Sequence, residues 1–258
     1  MSPAPEQLPD GRPLPRGEGR SLPPTPMFAG DDGSTDPLLA RALAAGDGIE
    51  RLQAVVAALA TARVLVPVVS YVEERAEPAE HEIHGTTVEL AGEKSASAAM
   101  VTLATPDGRA AIPVFSGMDA LRAWRADARP IPAEGVRAAL AAVSDADGLL
   151  VLDPGGPVTV PVPRPAVWAL AQQRSWVPAA QDPAVAEAIG RTLAAVPGVS
   201  GSTVQPGADA ELRIVLHLPP GLTREQVQQI VQHAGEALAA EEMVAERVDS
   251  LQFQVRSA

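Results

Sequence analysis

Cysteine is absent from the 258 residues of this chain. That excludes disulfides, thiol nucleophiles, iron–sulfur clusters and thiolate zinc sites, and leaves only His, Asp and Glu as metal ligands. Aromatic residues are scarce, at 3 %. No stretch approaches the roughly 18 uninterrupted apolar residues of a membrane span, and the first residues lack the basic-then-apolar pattern of an export signal, so a cytoplasmic protein is expected. Positive charge is also short: 20 Lys and Arg stand against 32 Asp and Glu, a formal net charge of −12. Nucleic acids and anionic membranes demand a basic face to displace counterions, so neither is expected as the main partner. Lys94 is the lone lysine in a chain rich in Ala and Pro, a usage that reports the base composition of the gene rather than arginine chemistry.

Familiar reaction motifs are missing as well. There is no G-x-x-x-x-G-K-[ST] and no G-x-G-x-x-G between a strand and a helix, so nucleotide phosphates have no recognisable cradle. GVSGS at 198–202 lacks the second Gly of the G-x-S-x-G elbow and a partner His, and reads as a turn. His81 and His84, flanked by Glu80 and Glu82, are the one cluster resembling a metal site, but no further fixed ligand accompanies them. They read as a solvated loop, and neither a metal nor a cofactor is expected. The acidic pairs Asp31-Asp32, Glu73-Glu74 and Glu241-Glu242 lie on wet segments and read as surface charge.

What is present organises the chain into three parts. Residues 1–35 are rich in Pro, Gly and charge with few apolar residues, and are expected to form a disordered tail. Order begins at Asp36-Pro37, an N-cap followed by a first-turn proline. A helix is predicted over 49–61 from the spacing of Ile49, Leu52, Val55, Val56 and Leu59, then a strand over 63–70 whose Pro67 suggests an edge or a strand end. SAAMVTLAT at 97–105, the TPDGR turn and the run to Phe115 predict a β-hairpin. A further helix carrying Val136, Leu140 and Val143 is predicted over 133–144, then the strand GLLVLD, the edge strand VTVPVP and a helix after Arg164-Pro165. A domain boundary is placed near 177. Beyond it, a helix over 183–196 opening at the Asp-Pro start Asp182-Pro183, strands at 199–205 and 212–218, a helix capped by Thr223 and Gln226, and a closing strand at 251–256 read as a smaller α-β-β-α-β two-layer sandwich.

Where a chain has so few aromatics, Phe115 and Trp124 around one strand-to-helix corner invite explanation. Ser116-Gly117-Met118-Asp119 matches a helix-capping pattern, so Ser116 is expected to cap a helix that returns Trp124 onto Phe115. The words RVLVPVV, VTLATPDGRAAIPVFSGMDALRAW and GLLVLDPGGPVTVPVPRPAVWAL resemble the SseB family, over residues 37–171. The most specific part is GRAAIPVFSGMDALRAW, and Asp153 stands where many relatives have Asn. The resemblance implies a mixed-sheet α+β domain in a cytoplasmic protein and carries no catalytic residues.

The expectation is therefore an α/β (α+β) protein comprising a tail over 1–35, an SseB-like domain over 36–176 and a C-terminal α/β domain over 177–258. Its expected role is a non-catalytic interaction or regulatory one with a protein partner, through Phe115, Ser116, Trp124, Asp153, Pro154 and Gly155. A rival reading is a small-ligand binder or enzyme with a polar site around Trp168, Arg174 and Trp176, and a third is self-association through edge strands.

Overall fold

The computed structural model describes residues 27–69, 81–83, 86–88, 99–207 and 210–258, with backbone alone for 69, 81–83, 86–88 and 99–100. Most of the expected tail, Glu73-Glu74, Glu80 and His84 lie outside the described residues, and so do the side chains of His81 and Glu82. The chain divides into two compact units, Met1–Asp32 and Gly33–Ala258. In the described part of the first, the Asp31 amide donates to the Phe28 carbonyl at 3.1 Å.

The second unit opens with α1 (Pro37–Leu43), whose Asp36 side chain accepts from Leu38 N as the sequence predicts. Next come α2 (Ile49–Leu59) and β1 (Arg63–Val69). A hairpin of β2 (His81–Ile83) and β3 (Thr86–Val88) occupies the polar stretch. The predicted strand 97–105 splits into β4 (Ala99–Met100), which pairs with β1, and β5 (Leu103–Ala104), which pairs with β6 (Ala110–Val114). The TPDGR hairpin thus exists with shorter arms, since one run of residues serves two sheets.

Proline register explains two departures from the sequence reading. β1 is the middle strand of the sheet β4-β1-β7, where β7 is Arg129–Glu134, so Pro67 is not at an edge. Leu65 exchanges both backbone hydrogen bonds with Phe115, at 2.8 and 2.9 Å. Alternation then points the Pro67 nitrogen to that same side, between the Phe115 bridge and the start of β4 pairing at Val68, where no ladder bond is required. β7 itself was hidden by its Pro-x-Pro. Pro130 faces Pro67 and Pro132 faces Leu65, which sets both missing donors on the outer edge of the sheet.

After β6 come α3 (Met118–Trp124), β7 and α4 (Gly135–Asp145). The last begins two residues later than predicted because 133 and 134 belong to β7. At Gly135 a Cβ would lie 2.2 Å from the Leu59 carbonyl oxygen, so only glycine admits this approach of α4 to the end of α2. α4 buries Ala138, Ala139 and Ala142 and packs Val143 partly against the same core, while Leu140 is 48 % exposed. Small side chains win this face because the helix packs closely against α5 (Arg164–Ala171). β8 (Leu149–Leu152) and β9 (Val160–Val162) complete the mixed sheet β5-β6-β8-β9, in which β6 and β8 run parallel and β9 is an edge as predicted.

A 3-10 turn at Ala179–Gln181 leads to α6 (Pro183–Ala194), capped by Asp182 as predicted. Then follow β10 (Gly201–Pro206), β11 (Leu212–Leu218), α7 (Arg224–Ala239) with its Thr223/Gln226 capping box, α8 (Glu242–Arg247) and β12 (Leu251–Ser257). The short α8 is an addition to the expected order; six residues are too few to show helical periodicity. β10-β11-β12 is a mixed sheet, and Leu212, Ile214, Leu216 and Leu218 bury one face of it against α6, α7 and α8. The unit therefore holds two large hydrophobic clusters, one built from α1, α2, α4, α5 and their strands and one from α6 to β12, while α3 packs in a smaller one with Leu65, Phe115 and Ala128. This is an α+β fold with mixed sheets. Among the described residues no helix is long and apolar enough to cross a membrane.

Candidate functional site

Phe115 leaves β6 fully buried, and its ring centroid lies 5.2 Å from that of Trp124 at a tilt of 39°. This is the packing contact the corner implies. The cap is different from expectation. Gly117 occupies the N-cap of α3 with no side-chain bond, and Ser116 turns inward. Its Oγ donates to Asp153 Oδ2 and its amide donates to Asp153 Oδ1, each at 2.7 Å. The hydroxyl points at the buried carboxylate, to which it donates a charge-assisted hydrogen bond, instead of accepting from the first helical turn as an N-cap serine does.

Asp153 follows β8 directly with φ +50, a left-handed conformation that Asp tolerates and most residues do not. Its amide donates to the Val114 carbonyl at 2.9 Å, and its own carbonyl accepts from Gly156 N and Thr159 Oγ1. Ser116 and Asp153 are 3 % and 6 % exposed, and burial pushes the Asp153 carboxyl above its ordinary range against the pull of the Ser116 hydrogen bonds. Pro154 is buried too. Of the six expected contact residues, only Gly155 is exposed and Trp124 half-buried, and the two are neighbours. The corner and the turn do come together, mainly as interior structure.

A second constellation had no local signal. Arg109 grips Asp249 in a bidentate pair at 2.7 and 2.9 Å and also contacts Asp107 at 2.7 Å. Arg164 Nη2 donates to the Ala245 carbonyl at 2.8 Å and the guanidinium lies 3.9 Å from Asp249. The amide of Asp249 donates to Glu211 Oε2 at 2.7 Å. Burial raises the Glu211 carboxyl, with the Asp249 charge adding to it, while its two backbone donors oppose the rise. Asp249 is far from Arg109 in sequence, so neither residue marks the other.

Next to this clasp lies a cavity of about 620 Å³ lined by one face of α5, the 174–177 loop and the end of α8. Trp168 stands on its α5 side, 45 % exposed. Arg174 is exposed and has no ion pair among the described residues. The Trp176 indole N–H is buried without an acceptor. Arg247 and Asp182, 2.8 Å apart, close one side. The structure thus brings together Trp168, Arg174 and Trp176, the three residues of the rival site, and adds Arg247 and Asp182.

Against this geometry the comparison with protein families is informative. The model of the SseB protein N-terminal domain matches residues 38–169. The chain belongs to the SseB family. No curated protein and no solved structure matches it. The SseB match contains Phe115, Ser116, Trp124, Asp153, Arg109 and Trp168, and it ends before Arg174 and Trp176. The cavity is therefore lined jointly by family-matched and unmatched residues.

Proposed function

We propose that this SseB family member is a non-catalytic interaction or regulatory protein of the cytoplasm, with a domain division near residue 177, and that it recognises a protein partner at the Trp168–Arg174–Trp176 cavity. The observation that carries the reading is the half-exposed Trp168 in one cavity with Arg174, which has no ion pair among the described residues, since Trp and Arg in a partly formed pocket dominate binding energy at protein interfaces. The alternative route, strand addition at the β7 edge, is opposed by Pro130 and Pro132, which remove donors from that edge. Ser116 and Asp153 support a structural rather than chemical role for the corner, because both Ser116 donors are committed to the buried Asp153 carboxyl.

The test is crosslinking with mass spectrometry of the full chain in its native host. Partner crosslinks are expected to cluster on α5 and the 174–177 loop and to vanish with Trp168→Ala. Recovery of no stoichiometric partner overturns the reading. A small-ligand role at the same place draws on the cavity's volume, which lies in the range of small-molecule sites. It predicts a metabolite that copurifies with the wild-type chain and is lost in Trp168→Ala, detected by native mass spectrometry.

A further inference from the structure

Among the described residues, the positions within β10, β11 and β12 that face away from the helices carry no carboxylate, in a chain where acids outnumber bases 32 to 20. Parity fixes its composition. Leu212, Ile214, Leu216 and Leu218 enter the core, so Arg213, Val215 and His217 occupy the opposite face of the central strand. Val204 packs inward from β10, and Leu251 and Phe253 from β12. Cross-strand register then places Arg213 between Gln205 and Gln252. Val215 follows between Thr203 and Gln254, and His217 has Arg256 beside it. With its amide oxygen turned toward the guanidinium, Gln252 accepts from Arg213 Nε at 2.8 Å and Nη2 at 3.1 Å, which holds that cation in place. Glu211, at the end of the strand, is occupied by the amides of Ala179 and Asp249.

We infer that this sheet face docks an extended acidic segment of a protein partner. Charge complementarity selects the sign: Arg213 and Arg256 stand among described strand positions that hold no acid, in a molecule whose formal net charge is −12. Spacing selects the conformation. Arg256 is four residues beyond the position paired with Arg213, so the two Cα atoms are separated by roughly 14 Å, allowing about 3.3 Å per residue and about 4.8 Å between strands. Carboxylates at positions i and i+4 of an extended peptide span this distance, whereas a helix covers only about 6 Å over the same step. The Thr and Gln side chains between the cations supply donors and acceptors for the intervening groups. Among the described residues the face holds no Phe, Tyr or Trp, and His217 is its one ring on which a base of a single-stranded nucleic acid could stack.

The test is fluorescence anisotropy of the full chain with a labelled peptide of alternating Thr and Val carrying Glu at every fourth position. Companion probes are the same peptide with Gln for Glu and a single-stranded oligonucleotide of equal charge. Binding of the Glu peptide is expected to weaken as salt is raised. It is expected to weaken about tenfold in R213Q/R256Q, and measurably in R256Q alone, which touches only an exposed side chain, while R224Q on α7 leaves it unchanged. Absence of binding overturns the inference. So does equal binding by the Gln peptide, tighter binding by the oligonucleotide, or wild-type affinity in the arginine variants.

Discussion

At the end of β6 a buried serine and a buried aspartate hold two strands together; along β11 four leucine and isoleucine side chains do the comparable work by area alone. The energetics of the two solutions differ in kind. Burying each aliphatic side chain contributes about 1.5–3 kcal/mol. Charge-assisted hydrogen bonds to Asp153 contribute about 1.5–3 kcal/mol each, and desolvating its carboxylate costs several kcal/mol, so the net is close to zero. The family-matched region therefore spends a neutral interaction on fixing geometry at a left-handed corner. The C-terminal region gains stability without fixing anything so exact. That contrast teaches which substitutions the two regions tolerate.

The strongest way to break the contrast is Asp153→Ala, which strands two buried Ser116 donors and places Ala at a positive φ; a loss of about 3–4 kcal/mol is expected in denaturant unfolding. Asp153→Asn keeps an acceptor and suits the backbone, so it should remain within about 1 kcal/mol of wild type. Arg109→Ala leaves the Asp249 carboxylate, 8 % exposed, without its bidentate partner, and a loss of about 2 kcal/mol is expected. If the clasp couples the two hydrophobic clusters, hydrogen exchange should rise in α8 and β12 of that variant as well as around β6. Thr223→Ala removes one half of a capping box on exposed α7 and is expected to lower the melting transition by the equivalent of about 1 kcal/mol.

The smallest effect sharpens the comparison through pH. Burial raises the folded-state carboxyls of Asp153 and Glu211 above their unfolded values, so the folded protein holds those protons more tightly. Their contribution to stability is complete below about pH 4 and is lost as pH rises through the raised folded values. Unfolding free energies measured on both sides of that window should show a shallower decline in Asp153→Asn and Glu211→Gln than in wild type. An unchanged pH profile in both variants would contradict the assignment.

Much of the architecture was legible along the chain because it rests on neighbours in sequence. Asp36, Asp182 and Thr223 cap their own helices, and β11 alternates without interruption. The errors share one origin: partners distant in sequence override a local preference. Ser116 has the form of a helix cap, but Asp153 takes its hydroxyl. Pro67 looks like an edge residue until the register shows that its missing donor faces a gap. Alanines of α4 go inward because α5 comes close, which helical spacing of larger residues does not anticipate.

By itself the sequence determined the starts of the helices capped by Asp36, Asp182 and Thr223, the main turns, the α+β class and the family, since capping chemistry and apolar period act over a few residues. Tertiary structure alone decided that Ser116 serves Asp153, that Arg109 serves Asp249, and that Trp168, Arg174 and Trp176 share one cavity. Those pairings depend on which strands become neighbours, and a one-dimensional pattern carries no term for that choice.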